Sequence, residues 1–279
     1  MSTSLSLVST DWLAERLTAP DVRVADASWY MPDSDRNARA EYDAAHIPGA
    51  VFFDIEDLSD ETNPLPHMLA PAAKFASRMR RLGLGDGHMI VVYDGDGIFS
   101  SPRAWWMLKA MGHKEVAVLD GGLPKWRREG RPLEDMPAIH SQRHFTPRVD
   151  HSIQRDFAQM QKLMQSGEQI LDARSASRFT GEEQEPRAGL RSGHMPGARN
   201  LHYRSLLTPE GTLKSQTELG QIFAGVDLQK PIATTCGSGI SAAIVMLAAE
   251  KLGAKNVSLY DGSWAEWGGR PDAEVATGP

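Results

Sequence analysis

His46-Ile47-Pro48-Gly49-Ala50 returns 148 residues later as His194-Met195-Pro196-Gly197-Ala198. Upstream, Val24-Ala25-Asp26-Ala27 is answered by Ile170-Leu171-Asp172-Ala173, an offset of 146. Downstream, Asp120-Gly121-Gly122 with Trp126 is answered by Asp261-Gly262-Ser263 with Trp267, an offset of 141. Three matches in one order, with slowly drifting offsets, mark a domain written twice. The period is far longer than the roughly 20–50 residues of a solenoid repeat. The chain's 279 residues fit two domains at about 150 residues each. Gly130 to His151 is rich in Pro, Arg and His and poor in apolar periodicity, so the seam falls there. The expected organisation is a first domain over 1–135, a linker over 136–155 and a second domain over 156–279.

Within each copy, strand-like and helix-like stretches alternate. In the second, Gln169 to Asp172, Pro231 to Thr235 and Asn256 to Tyr260 are short apolar or β-branched runs. Between them lie amphipathic Lys214 to Phe223 and Ala-rich Ser241 to Leu252, the latter closed by Gly253 as a C-terminal cap. The first copy follows suit, with strands expected at Met89 to Tyr93 and Val116 to Leu119 and a helix at Pro102 to Ala110. Such alternation predicts an α/β class: two tandem homologous domains, each a parallel sheet flanked by helices.

Composition narrows the function. Thirty Lys and Arg against 36 Asp and Glu give a net charge of −6, without the cationic surplus on which nucleic-acid binding runs. No window approaches the roughly 18 unbroken apolar residues of a membrane span. Met1 to Trp12 has neither a basic start nor an apolar core, and reads as neither signal nor transit peptide. One cysteine excludes an internal disulfide and the multi-Cys zinc patterns. A reduced cytoplasmic enzyme is the leading class.

That cysteine lies in Thr234-Thr235-Cys236-Gly237-Ser238-Gly239-Ile240-Ser241-Ala242, between an expected strand and an expected helix. Ligand sites of open parallel sheets form at the carboxyl ends of strands, where such turns occur. Two glycines let the backbone fold tightly around the sulfur and aim N–H groups inward. The following helix adds its unpaired N–H groups and the positive end of its dipole. A small buried hydrophobe is the bland alternative for a lone Cys; the loop favours a nucleophile. A cysteine phosphatase needs Arg six positions further on to grip phosphate, and Ala242 stands there.

On these residues the chain resembles the two-domain rhodanese-type sulfurtransferases. Cys236-Gly237-Ser238-Gly239-Ile240-Ser241-Ala242 is similar to the Cys-Gly-Ser-Gly-Val-Thr-Ala loop of members that take sulfur from 3-mercaptopyruvate. Members preferring thiosulfate usually carry Cys-Arg-Lys-Gly there. The resemblance spans essentially the whole chain, including both His-x-Pro-Gly-Ala segments and Asp261 to Trp264. In the repeat, Asp94 falls 142 residues before Cys236, so the first domain is expected to be catalytically silent and to supply the other wall of the cleft.

The resemblance implies roles residue by residue. Cys236 would be the nucleophile, with Gly237, Gly239, Ile240 and Ser241 shaping the substrate loop. Arg178 and Arg187, nine apart, match the family's two substrate-binding arginines, and the guanidinium fork suits a carboxylate. Without the resemblance both would read as partners of Glu182, Glu183 and Glu185 on a solvated loop; Arg174 and Arg191 read as structural. Ser238 would serve the sulfur or the leaving enolate, in a relay with His67 and Glu56 reaching from the first domain. Many members carry Asp at the Glu56 position. His46 and His194 occur in both copies and read as turn-forming, and Trp105 and Trp106 as packing.

The expected activity is sulfur transfer from 3-mercaptopyruvate to a thiol, cyanide or thioredoxin-like acceptor through a Cys236 persulfide, releasing pyruvate, with no metal or organic cofactor implied. Beside it stand a thiosulfate:cyanide sulfurtransferase using the same cysteine, a phosphatase on the same fold and a non-catalytic sulfur carrier.

Overall fold

Met89-Ile90-Val91-Val92-Tyr93 has no polar alternation and is buried from Ile90 onward, as befits a strand covered on both faces. The computed structural model describes residues 5–279; the first four residues of the Met1–Trp12 stretch lie outside them. Two compact units are present. The first comprises the chain up to Glu61, Leu69–Asp150 and Leu207–Leu213; the second comprises Thr62–Met68, His151–Leu206 and Lys214–Pro279. Residues 136–155, expected as a linker, are divided between them. As far as Asp150 the chain is tied to the first unit by backbone bonds such as Arg148 N–H to Met111 O at 2.8 Å, and Gln154–Arg155 is already a strand of the second.

In the first unit the strands are β1 (Leu7–Val8), β2 (Val22–Asp26), β3 (Ala50–Phe52), β4 (Met89–Tyr93) and β5 (Val116–Leu119), all parallel, in the order β1-β5-β4-β2-β3. In the second they are β6 (Gln154–Arg155), β7 (Gln169–Asp172), β8 (Arg199–Asn200), β9 (Ile232–Thr235) and β10 (Val257–Tyr260), in the order β6-β10-β9-β7-β8. Counted from each unit's first strand, the two orders are the same. The sequence repeat is therefore a repeat of topology, and the expected α/β class is what the chain adopts.

Helices α1 (Thr10–Ala14), α2 (Ala38–Ala44), α3 (Ala72–Arg81), α4 (Ser101–Ala110) and α5 (Gly122–Arg128) accompany the first sheet. Helices α6 (Phe157–Ser166), α7 (Ala176–Thr180), α8 (Gln216–Ile222), α9 (Ala242–Lys251) and α10 (Ser263–Trp267) accompany the second. In α4 and α9, which follow the central strands, most positions are apolar and buried. Trp105 and Trp106 lie fully buried within α4. Gly253, at φ 94°, ends α9 in the left-handed conformation expected of it.

The His-x-Pro-Gly-Ala segments do the same work twice. His46 Nδ1 meets Tyr42 O at 2.7 Å with its ring stacked on Tyr42, and His194 Nδ1 meets Phe179 O at 2.9 Å with its ring stacked on Phe179. Each histidine's backbone also pairs with a later strap, at Glu134 and Ala276 respectively. Both are buried joints between a helix, a turn and a strap. No helix among the described residues is long and apolar enough to cross a membrane.

Candidate active site

Strand β9 is the central strand of the second sheet, and Cys236 is the first residue beyond its carboxyl end. The chain turns there through Gly237-Ser238-Gly239 before α9 begins. Gly239 adopts φ 83°, a conformation open to glycine at little steric cost, and its N–H donates to Cys236 Sγ at 3.2 Å. Ile240 and Ser241 use their carbonyls for the first turn of α9, accepting from Ala243 and Ile244. Cys236 is 2% exposed, so its sulfur sits in a nearly enclosed cradle.

The other side of the loop is fastened to α10. Trp264 N–H donates to Cys236 O and Ala265 N–H to Gly237 O, both at 2.9 Å, and Cys236 N–H faces Ser263 Oγ at 3.4 Å. That α10 grips the nucleophile's loop carries no local sequence pattern.

His67 lies in Thr62–Met68, the segment of the first half of the chain that belongs to the second unit. Its ring is buried, and Nδ1 lies 3.0 Å from Ser238 Oγ and 3.3 Å from Ser238 O. Glu56 belongs to the first unit, where its carboxylate accepts from Trp29 Nε1 at 2.8 Å.

Arg178 and Arg187 both come to the loop. A Cβ placed on Gly237 would stand 3.1 Å from Arg178 Nη2 and 3.9 Å from Arg187 Nη1. Arg178 is not on a solvated loop with any available acid: its partner is Glu185, whose side chain is 2% exposed. Glu185 also holds Arg174 Nη1 at 2.8 Å, and Arg174 Nη2 reaches Asp172 at 2.6 Å while the guanidinium lies over the Trp264 ring at 4.2 Å. Burial pulls the Arg174 guanidinium's pKa down, but the Asp172 and Glu185 carboxylates outweigh it and raise it. Among the described residues, Arg187 makes no such pair. Arg191, by contrast, donates to the carbonyls of Trp267, Gly268, Arg270 and Ala273 and braces the end of α10. In the sequence Glu185 stood only as one of three equivalent glutamates; burial is what sets it apart from its exposed neighbours Glu182 and Glu183.

The equivalent loop of the first unit is Asp94-Gly95-Asp96-Gly97-Ile98. The Asp94 carboxylate accepts N–H groups of Asp96, Phe99, Ser100 and Ser101 and the Ser101 hydroxyl, at 2.6–3.0 Å. A fixed anion thus fills the N–H cradle of this unit. Over Gly95, a Cβ would fall 2.1 Å from Tyr30 Oη, and Arg36 stacked on Tyr30 is paired with Glu41 and Asp96. Among the described residues, no group of three or more His, Cys, Asp or Glu is arranged to hold a metal ion.

The rhodanese-like domain model matches residues 9–129 and again 156–270. The chain is 46% identical to the 3-mercaptopyruvate sulfurtransferase of Escherichia coli K12, with 96% of each chain covered. It is 44% identical to the thiosulfate sulfurtransferase of Gallus gallus, over 94% of this chain and 93% of that one. The crystal structure of the Tum1 protein of Saccharomyces cerevisiae superposes with a TM-score of 0.91 at 32% identity, covering 99% of each chain.

Proposed function

Because this chain belongs to the two-domain rhodanese-like sulfurtransferase family, we propose that it moves sulfur from 3-mercaptopyruvate to a thiol or cyanide, with the residues around Cys236 in defined roles. It is a sulfurtransferase of the 3-mercaptopyruvate type, working through a cysteine persulfide. The observation that carries the assignment of roles is one cradle: a buried Cys236 Sγ receiving the Gly239 N–H, with two guanidinium groups against the neighbouring Gly237.

In the first half-reaction the Cys236 thiolate attacks the donor's sulfur. A sulfur–sulfur bond forms, the carbon–sulfur bond breaks, and its electron pair leaves with the pyruvate enolate. The enolate then takes a proton to become pyruvate. Ser238 Oγ, paired with His67 Nδ1, is the group poised to give that proton and be resupplied. Glu56 is the acid proposed to complete the relay. In the second half-reaction the acceptor takes the outer sulfur and regenerates the thiolate, which is covalent catalysis with ping-pong kinetics. The loop's N–H groups stabilise anionic sulfur in both steps through dipoles already in place.

The donor's carboxylate is assigned to Arg187 first and Arg178 second. Arg178 shares its charge with Glu185, whereas Arg187, with no acidic partner among the described residues, has its fork for two parallel hydrogen bonds. Gly237, Gly239, Ile240 and Ser241 form the wall of the loop. A Cβ on Gly237 would stand 3.1 Å from Arg178 Nη2, so a side chain there would make that guanidinium give way by a few tenths of an ångström. The first unit takes no sulfur, since Asp94 occupies its cradle. Acceptors are small thiols, cyanide or a thioredoxin-like protein, and neither nucleic acid nor membrane is a partner. The lone cysteine suits the reduced cytoplasm.

Intact-protein mass after brief exposure to 3-mercaptopyruvate or thiosulfate, with pyruvate assayed in parallel, tests this. One added sulfur atom, removed by thiol and missing in Cys236→Ser, is expected, with faster labelling by 3-mercaptopyruvate. Faster labelling by thiosulfate would make that the donor, as the name of the Gallus gallus relative has it. No mass gain from either would end the reading.

A further inference from the structure

Among the described residues, two that are not glycine hold a left-handed backbone, His67 at φ 61° and Ser263 at φ 48°. Both touch the Cys236 loop, His67 through Ser238 and Ser263 through the Cys236 peptide. A side chain in this region meets a steric cost that glycine does not, and such outliers persist where the surroundings hold them for a purpose.

The first unit shows what glycine does in the same place. Gly122, at φ 49°, precedes Leu123, whose N–H donates to Asp94 O at 3.0 Å, as the Trp264 N–H donates to Cys236 O. The turn and the grip on the loop therefore form without a side chain. A Cβ on Gly122 would fall 2.5 Å from both Asp94 O and Gly97 O, so the first unit has no room for what the second carries. What serine adds is a fully buried hydroxyl. Its O–H donates to Tyr260 O at 2.8 Å, which turns its lone pairs to the Cys236 N–H at 3.4 Å, long for a hydrogen bond.

We propose that Ser263 is a positioning residue for sulfur transfer: its strained, buried hydroxyl fixes the peptide that carries the nucleophile. The inference rests on the reading of Cys236 as the sulfur-accepting group. A planar trans peptide points its N–H opposite to its carbonyl. With the Cys236 and Gly237 carbonyls held by Trp264 and Ala265, the N–H groups of Gly237 and Ser238 turn away from α10. Ser263 Oγ sets the peptide before these two, so three consecutive peptides are oriented and Sγ is carried on the first.

Ser263→Gly and Ser263→Ala in the full chain test this by three readouts. These are the pH profile of Cys236 alkylation by iodoacetamide, the single-turnover rate of persulfide formation from 3-mercaptopyruvate, and the thermal midpoint. Ser263→Gly is expected to unfold at or above the wild-type midpoint, because strain is relieved and Gly122 shows that the turn survives. Its alkylation profile should be displaced from the wild type's and its persulfide formation slowed about tenfold, the scale of a small misplacement of a reacting group. Ser263→Ala keeps the strain without the hydroxyl, and should show the same two functional changes with a lower midpoint. A wild-type profile and rate in Ser263→Gly would overturn the proposal. So would losses in both variants that merely track the fraction of folded protein. Alkylation needs no donor, so it decides the role of Ser263 even if the wild type were to take no sulfur from 3-mercaptopyruvate.

Discussion

Arg178 and Arg187 sit nine residues apart and reach the same glycine, yet they are not equivalent cations. Glu185, buried on both its partners, spends one carboxylate on Arg174 and Arg178 together, so Arg178 approaches the site already paired. Arg187 has no acidic partner among the described residues. A charge-assisted, bidentate hydrogen bond to a carboxylate contributes about 1.5–3 kcal/mol, and that is the part of donor binding Arg187 has to give. Arg187→Ala is therefore expected to raise KM for 3-mercaptopyruvate roughly 10- to 100-fold with a smaller change in kcat, since the interaction is made equally in ground and transition states. Steady-state kinetics check this, and an unchanged KM would remove Arg187 from the carboxylate. From sequence, both arginines were legible as candidates only because nine-residue spacing matched a family. Their inequality was not, because three nearby glutamates look alike until burial separates Glu185 from Glu182 and Glu183.

The ends of β2 and β7 hold the same aspartate of the repeat, and the two units solve its burial differently. Asp172 is paired with Arg174 at 2.6 Å. Asp26 has Ser28 where Arg174 would stand, and its Oδ1 accepts the Ser28 N–H at 2.9 Å and the Ser28 hydroxyl at 2.5 Å. Burial dominates over these bonds and pushes the Asp26 carboxyl up from 3.8 to about 6. An acid whose folded pKa is raised binds its proton more tightly folded than unfolded. Its favourable contribution is complete below about pH 4 and is lost as pH rises through 6, about 3 kcal/mol in all. Asp26→Asn should flatten that part of the pH dependence and stabilise the protein at pH 8 by up to the same order, as urea unfolding at pH 4 and pH 8 would read. Equal pH dependence in the two proteins would mean that folding does not raise the Asp26 pKa. Elements of this kind were largely legible beforehand: the runs at Met89 to Tyr93 and Gln169 to Asp172 became strands with those limits, because unbroken apolar runs bounded by polar residues have little else to become. The attachment of Thr62–Met68 to the second unit was not legible, because a short segment rich in proline carries no periodicity to say which core it joins.

At the scale of the whole chain, one topology is used twice, and only one copy is equipped for sulfur. The first unit retains the strand order, the glycine spacing and the inward N–H groups, and it fills that cradle with the Asp94 carboxylate. Replacing the acid alone should not restore chemistry. Arg36 is committed to Glu41 and Asp96, and Tyr30 Oη stands where any group above Gly95 would have to go. A thiol placed at 94 would find anion-stabilising dipoles but neither a free guanidinium nor space for a donor. The chain carrying both Asp94→Cys and Cys236→Ser is thus expected to alkylate with iodoacetamide at its single thiol, yet to gain no sulfur from 3-mercaptopyruvate by intact mass. The alkylation shows that the thiol can be reached, so an absent sulfur speaks for the missing donor site and not for a buried nucleophile. A persulfide on the first unit would instead mean that cradle and thiol suffice, and the weight placed on Arg178 and Arg187 would have to move to the loop itself.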